Sequence, residues 1–386
     1  MSKKLIKIVC NEWNNENRDK RELKACEELG MKVQVVAKGT CFETLEKEGI
    51  SVTTITTKPL GVKMPGAVNK AASVFCWAHF VRKANPDIIS GHDIGGLAIG
   101  WLSNILRREK AQLVYDSHEF EIGRMADRSK LQSEIIARLE KFLMKRSTFS
   151  IMVNDQIADE VQRIHKLTTK PLVIRNTPEL WSVNKTTSGK IRATINRRFG
   201  RNNLFVLMYH GAVINNRGIE TIMDVVKMND NLGLVVLGNG SEGYLKSLAE
   251  KGKLLGIEDR VQFIEAVSIT DLWKYVSAAD VGMITIPAAS KSYYFMLPNK
   301  LFENIQSETP VIVSNFPAIS SIVEGEEIGL TCNPTDVIAI NQCVEKMRTD
   351  AAFYQKCKAN LKSAKEKYCW EKEKQRLKDA YAKLLG

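Results

Sequence analysis

What is scarce in these 386 residues narrows the possibilities first. The eight cysteines are scattered, with no Cys-x-x-Cys pair and no histidine near enough to complete a zinc pattern. A disulfide scaffold and a zinc module are therefore excluded, no metal site is expected, and reduced thiols in a cytoplasmic protein are the expectation. No apolar run approaches the roughly 18 residues a membrane-spanning helix needs. The short apolar run at residues 5–9 is followed at once by Cys10, Asn11 and Glu12, so it reads as a first strand rather than a signal peptide. Acidic residues are in deficit, 44 against 56 basic, and the net charge of +12 is uneven: residues 1–178 hold 29 basic and 21 acidic residues. Such a surplus suits nucleic acid, anionic lipid or phosphorylated ligands. No aromatic-interleaved strand or basic recognition helix accompanies it, which argues against nucleic acid as a partner. Phosphorylated ligands and an anionic membrane surface remain.

The length favours two domains of ordinary size. Short β-branched runs alternate with amphipathic stretches in both halves, the pattern of parallel sheets wound by helices on both faces. Residues 1–178 form the first domain of this reading and residues 179–369 the second. The polar run 182–190 looks like an exposed linker, and a polar helix over about 370–386 closes the chain. In the helix expected at 130–146, Leu131, Ile135, Leu139, Phe142 and Leu143 make one stripe, expected to face the core. Lys130, Arg138, Lys141, Lys145 and Arg146 form a basic flank available to lipid head groups.

The densest chemistry lies in Pro298-Asn-Lys-Leu-Phe-Glu303, followed by the strand-like run Val311-Ile-Val-Ser314. Pro298 and Asn299 read as a helix start, with Asn299 as the cap. A helix start with Lys300 beside it attracts anions, and Glu303 one turn on offers a carboxylate to hydroxyl groups. Phosphates at the helix mouth and ribose on the acid would suit a sugar nucleotide. Two earlier strand exits fit the same edge: His210-Gly211 leading to Arg217-Gly218, and Gly238-Asn239-Gly240. In the first half, His92-Asp93 and Ser117-His118-Glu119 stand at strand ends.

Taken in order, these stretches resemble the family 4 glycosyltransferases, in the bacterial branch whose donor motif reads Pro-Asn-Lys-x-Phe-Glu. Tyr209-His-Gly-Ala with Arg217-Gly-Ile-Glu220, Val235-Val-Leu-Gly-Asn-Gly240, Ala278-Ala-Asp280, Leu297 with the motif after it, Thr309-Pro-Val-Ile312 and Tyr115-Asp-Ser-His-Glu119 carry the likeness. The resemblance implies the GT-B fold, two Rossmann-like doubly wound parallel-sheet domains with an interdomain cleft, the last helix packing back on the first domain. It implies a retaining, metal-independent transferase of the hexosyl type with no cofactor. The donor would be a UDP- or GDP-linked sugar and the acceptor a saccharide or a lipid-linked glycan, as in polysaccharide or glycolipid synthesis, peripheral on the cytosolic face of a membrane.

Site roles follow from the same resemblance. Glu303 would hold the ribose, Arg217 and Lys300 the diphosphate, and Gly211 the close backbone approach, with Gly238, Asn239, Gly240 and Asn299 also donor-binding. The backbone around Ile264 and Ala266 would meet the base. His118 would lie beside the reacting sugar, with Arg18 and His92 on the acceptor side. No Asp-x-Asp metal motif is present. Two positions depart from the family pattern: Ala212 stands where an arginine is common, and Phe295 where an acid usually touches the donor sugar. They motivate one alternative, a catalytically silent nucleotide-binding scaffold; the other, a sugar-nucleotide epimerase of the same fold, would need acid/base residues poised on the donor sugar, and no convincing set is found.

Overall fold

A computed structural model of the chain describes residues 2–13, 17–61, 65–105, 107–125 and 127–386. It contains two compact units: Met1–Asn176 together with Glu373–Gly386, and Thr177–Lys372. The strand-helix alternation of the sequence predicts a helix over residues 95–106; the observed helix runs Asp93–Ile105, and Leu106 lies outside the described residues.

The first unit opens with β1 (Lys4–Val9), α1 (Asn17–Glu27), β2 (Lys32–Gly39), β3 (Glu43–Lys47) and β4 (Ile50–Thr56). It continues through α2 (Gly66–Ala84), β5 (Ile88–His92), α3 (Asp93–Ile105), β6 (Gln112–Asp116), α4 (Lys130–Met144), β7 (Phe149–Met152), α5 (Asp155–His165) and β8 (Leu172–Val173). The sheet order is β3-β4-β2-β1-β5-β6-β7-β8, parallel except for β3, which runs antiparallel to β4 at the edge. β1 is central, with Leu5 beside Val33 of β2 and Ile88 of β5. It is buried on both faces, which is why its sequence is almost continuously apolar. Of its two lysines, Lys4 stands at the partly exposed start and Lys7 is buried.

The second unit holds α6 (Lys185–Phe199), β9 (Phe205–His210), α7 (Ile219–Met228), β10 (Leu232–Leu237), α8 (Glu242–Leu255), β11 (Val261–Ile264) and α9 (Ile269–Val276). After these come β12 (Val281–Ile284), α10 (Lys291–Tyr294), α11 (Asn299–Gln306), β13 (Val311–Ser314), α12 (Pro317–Gly325), β14 (Gly329–Cys332), α13 (Val337–Thr349) and α14 (Ala351–Lys367). The strands run β11-β10-β9-β12-β13-β14, all parallel. Leu207, Tyr209, Leu234 and Val236 of the central strands pack under α7 and α13 on one face, and Met208 and Val235 pack with Ile195 and Phe199 of α6 on the other. In such a sheet the strand order reverses between β9 and β12, and the loops leaving those two strands diverge to leave a crevice.

The polar run at 182–190 is no linker. It enters α6, which Asn184 caps by accepting from the Thr187 N–H at 3.0 Å and which Gly200 ends in the left-handed conformation. Its apolar side comes only at its far end, where Ile195 and Phe199 are buried. The final helix, α15 (Trp370–Ala382), starts in the second unit, the Trp370 N–H donating to the Pro178 carbonyl at 2.7 Å. From Glu373 on it belongs to the first unit. There Glu373 pairs with Arg175 at 3.3 Å, Lys374 with Glu28 at 2.8 Å, and Tyr381 packs edge-on against Phe149.

Candidate active site

β9 delivers His210 and Gly211 to the reversal point of the second sheet, and α11 delivers Lys300 and Glu303 to the same place. A Cβ added at Gly211, where φ is +112°, would stand 2.7 Å from Lys300 Nζ, so the ammonium lies directly over the glycine. Lys300 also sits 5.2 Å from the centre of the Tyr209 ring. The Tyr209 hydroxyl donates to the Ala212 carbonyl at 2.5 Å and so holds the loop that follows. Burial lowers the Lys300 pKa to about 8, opposed by Glu303 and assisted by the neighbouring charge of Arg217.

Arg217 directly precedes Gly218, the residue that caps the start of α7. Its guanidinium lies 5.4 Å from the centre of the Tyr293 ring. Among the described residues, no carboxylate lies within ion-pair distance of either Arg217 or Lys300. Two cations thus stand beside two helix starts with no carboxylate neutralising either, a charge pattern that attracts anions. Gly218 sits at φ +79°, and a Cβ there would come within 2.0 Å of the Thr285 carbonyl oxygen. Gly218→Ala should therefore destabilise the fold by about 1–3 kcal/mol from backbone strain alone, read as a lowered thermal midpoint; an unchanged midpoint would show that the turn can relax.

Glu303 does not pair with Lys300. Its Oε2 lies 2.9 Å from His210 Nε2, so the carboxylate is oriented from β9. Its other oxygen has no partner among the described residues and is the one available to a ligand. His210 had drawn no role from sequence. The signal that could have found it is positional, because the last residue of a first strand and the helix after a fourth strand are neighbours in this sheet order. Asn299 is also placed differently from expectation. Pro298 caps α11 in an extended conformation without a side-chain bond, and Asn299 is the exposed first helical residue. The Leu301 N–H, expected to be free, donates to the Pro298 carbonyl at 3.0 Å, so the uncapped helix start offers the N–H groups of Asn299 and Lys300.

The glycine loop after β10 is laced to its neighbours. Gly238 N–H donates to the Ile264 carbonyl at 2.8 Å and Gly211 N–H to the Leu237 carbonyl at 2.9 Å. Val213 N–H donates to the Asn239 carbonyl at 2.8 Å, and Val213 and Gly240 form a parallel bridge. A Cβ at Gly238 would lie 1.9 Å from the Gly211 carbonyl oxygen. The Asn239 side chain accepts from the Ala266 N–H at 3.0 Å. Asn239 and Ala266 thus shape the loop after β11 by bonding to each other. Phe295 packs edge-on against Tyr294 at 5.3 Å, and Ala212 is exposed.

In the first unit the expected site residues fall into a charge network. Lys7 Nζ lies 2.6 Å from Asp19, 2.6 Å from Glu22 and 2.5 Å from Asp116. Arg18 binds Glu22 at 2.7 Å and Asp116 at 3.0 Å. His92 Nδ1 lies 2.7 Å from Asp19, and the rings of His92 and His118 lie 3.8 Å apart, centre to centre. Arg18 and His92, expected to touch an acceptor, are buried members of this network. Their neighbours come from α1, β1 and β6, separations that no local pattern reveals. His118 is the more accessible member, with 18% of its side chain exposed. Burial and Arg18 disfavour its charge, but Asp116 and Asp19 overcome both and push its pKa up to about 10. At neutral pH it is an imidazolium, a hydrogen-bond donor rather than a base.

Asp19, Glu22 and Asp116 also converge as metal ligands would, as do Asp19, His92 and His118. The Lys7 ammonium already stands among the first set. The network is built around internal cations.

Residues 192–364 match the family model of glycosyl transferases group 1. The match runs from within α6 to within α14 and takes in every strand exit of the second sheet, including Gly211, Arg217, Gly238, Lys300 and Glu303. The first unit lies outside it. Solved structures agree in fold over nearly the whole chain. Anabaena HepE, crystallised with UDP, is 16% identical with a TM-score of 0.76, each chain covered to 99%. A sucrose-phosphate synthase from Thermosynechococcus elongatus is 18% identical at 0.78, again with 99% of each chain covered. A glycosyltransferase from Rickettsia africae is 14% identical at 0.74, covering 100% of this chain and 99% of its own. No curated protein sequence matches the chain. The GT-B fold expected from the sequence, with its two parallel-sheet α/β domains, is the fold found.

Proposed function

We propose that this protein is a retaining, metal-independent glycosyltransferase of the hexosyl type that moves a sugar from a nucleotide diphosphate to a saccharide or lipid-linked acceptor. The observation that carries it is the pair of unneutralised cations, Arg217 and Lys300, at the starts of α7 and α11, with the open oxygen of Glu303 one turn beyond. The match of the second unit to glycosyl transferases group 1 supports the reaction class. HepE was crystallised with UDP, with UDP and glucose and with UDP-glucose, which makes a uridine diphosphate sugar the first donor to try here.

The chemistry asked of the residues is modest. The bond from the anomeric carbon to the diphosphate oxygen breaks, and the acceptor hydroxyl bonds the same face of the sugar. Its proton passes to the departing diphosphate. Negative charge grows on the phosphates, where Arg217, Lys300 and two helix N-termini are preorganised to receive it. His118, a fixed donor at the strand edge of the first unit, is assigned to acceptor or sugar hydroxyls. Arg18 and His92 are assigned to positioning it. A nucleotide-binding scaffold without turnover is the second proposal, favoured by Phe295 and Ala212.

Glu303→Gln should weaken UDP binding about tenfold, the worth of a hydrogen bond to a charged acceptor. The substitution keeps an oxygen for His210. Thermal-shift titrations of wild type and variant with UDP, GDP, ADP and CMP would read both the base preference and this loss. Equal affinity in the two proteins would remove Glu303 from the ribose. Tight UDP binding with neither donor hydrolysis nor transfer across a broad acceptor panel would favour the scaffold.

A further inference from the structure

Of the five α4 residues that the sequence pattern assigns to the core, Leu143 is buried and the other four lie in solvent. Leu131 is 68% exposed, Ile135 55%, Leu139 41% and Phe142 36%. The opposite face is the anchored one. Glu140, Leu143 and Met144 are buried, and Glu140 bonds His165 at 2.8 Å and the Tyr115 hydroxyl at 2.8 Å. Ser129 and Gln132 close a capping box at the start, so the helix is firmly begun as well as anchored. Four large apolar side chains on an anchored helix are too many to leave wet without a use.

The charge beside the stripe says what covers it. Along the helix, Arg138, Lys145, Lys141 and Lys130 run down one flank of the apolar line, with Glu134 alone among them. Arg146 lies over the Phe142 ring, its guanidinium carbon 3.5 Å from the ring centre. Trp101 of α3 meets the other side of Phe142 edge-on at 5.1 Å and extends the aromatic end of the stripe. At the C-terminal end of α4, Lys145, Lys166, Lys170 and Lys383 line a cavity of about 720 Å³ together with Met144 and Leu384. Lys170 pairs with Asp155 at 3.1 Å and Asp159 at 2.7 Å, and the other three lysines have no ion-pair partner among the described residues.

We infer that α4 lies in the surface of an anionic bilayer, the apolar stripe entering the acyl boundary and the basic flank resting on the head groups. An apolar line bordered by lysine and arginine, on a helix whose other face is fixed to a folded domain, is the geometry of interfacial binding. The cavity lined by these lysines has the size and charge for one phosphorylated head group. A second copy of the chain fits less well, because pairing two such faces would crowd the basic flanks together.

Sedimentation of the full chain at low salt with vesicles of phosphatidylglycerol and phosphatidylcholine in equal amounts, or of phosphatidylcholine alone, tests it. Wild type should pellet with the mixed vesicles and stay in solution with the neutral ones. Arg138→Gln with Lys141→Gln and Lys145→Gln should weaken binding about a hundredfold, at roughly fivefold per charge. Leu131→Ser with Ile135→Ser should weaken it at least about tenfold through lost apolar burial. All these positions but Lys141 are exposed, and an unchanged melting temperature would show that the variants fold. Wild type that ignores both vesicles, or either variant binding like wild type, overturns the assignment. So does a wild-type dimer that Ile135→Ser converts to monomer. The thermal shift with UDP reads the nucleotide site independently: its absence from all three proteins would sink the donor proposal and leave the vesicle result intact.

Discussion

Lys300→Ala should lower turnover of a nucleotide-sugar donor by about 10²–10³-fold, the usual cost of removing one preorganised group from a developing oxyanion. The loss should fall on kcat more than on KM, because charge grows on the diphosphate only as the bond to the sugar breaks. The pH dependence distinguishes this from general damage. Lys300 titrates near pH 8 in the free protein, pushed down by burial and by Arg217 against the pull of Glu303. It is charged below that pH and neutral above it, so kcat/KM should fall as pH rises through about 8. A bound diphosphate favours the charged form, so UDP binding measured above pH 8 should take up a proton. Lys300→Arg should abolish the alkaline limb, because a guanidinium keeps its charge throughout the range. A wild-type profile with no limb between pH 7 and pH 9, or full turnover in Lys300→Ala, would remove the residue from the diphosphate.

Lys7→Met should cost about 3–5 kcal/mol of stability, because it leaves three buried carboxylates short of their central cation. Burial works against the Lys7 charge, but Asp116, Asp19 and Glu22 outweigh it and hold its pKa well above the ordinary value. Burial would likewise raise Asp19 and Asp116, yet Lys7 leads the cations that hold both well below the carboxylate range. The contribution of those two acids is present above their unfolded pKa, about 3.9, and is lost only as pH falls through their lower folded values. The contribution of Lys7 is complete below about 10.4 and lost as pH rises through its higher folded value. Both are whole at pH 7. In Lys7→Met the two acids lose this support and take up protons more readily, so the deficit against wild type should shrink as pH is lowered from 7 to 5. Denaturant unfolding at the two pH values measures it, and a deficit that stays constant or grows would contradict the account of the network.

The parts of the molecule legible in its sequence are those set by neighbours along the chain. Strand-helix alternation was readable because each strand of a buried parallel sheet is itself an apolar run, as Leu232–Leu237 and Val311–Ser314 are. The Pro298 to Glu303 stretch was readable because a helix start, a cation and an acid lie within six residues. Four of the five residues of the α4 stripe, all but Leu143, were misassigned for a related reason. Periodicity reveals that a helix has two faces, but the face that packs is decided by partners elsewhere, here Tyr115 and His165 gripping Glu140. The same holds for Arg18 and His92, whose burial depends on α1 folding over β1 and β6. One trace of that network was visible: Lys7 interrupts the apolar run of β1, and a lysine there needs acids brought from afar. His210 was silent in sequence because its partner Glu303 stands 93 residues away.

The return of the chain at Glu373 has a consequence for the order in which the protein is made. The second unit is continuous, so all of it has emerged from a ribosome once Lys372 has. The first unit begins earlier yet lacks residues 373–386 until they follow the second unit out. Those residues bring Tyr381, fully enclosed within the first unit, and Glu373, which binds Arg175. Until they arrive, the sheet around β1 keeps an open apolar flank, and the half of the protein translated first is the half that finishes folding last.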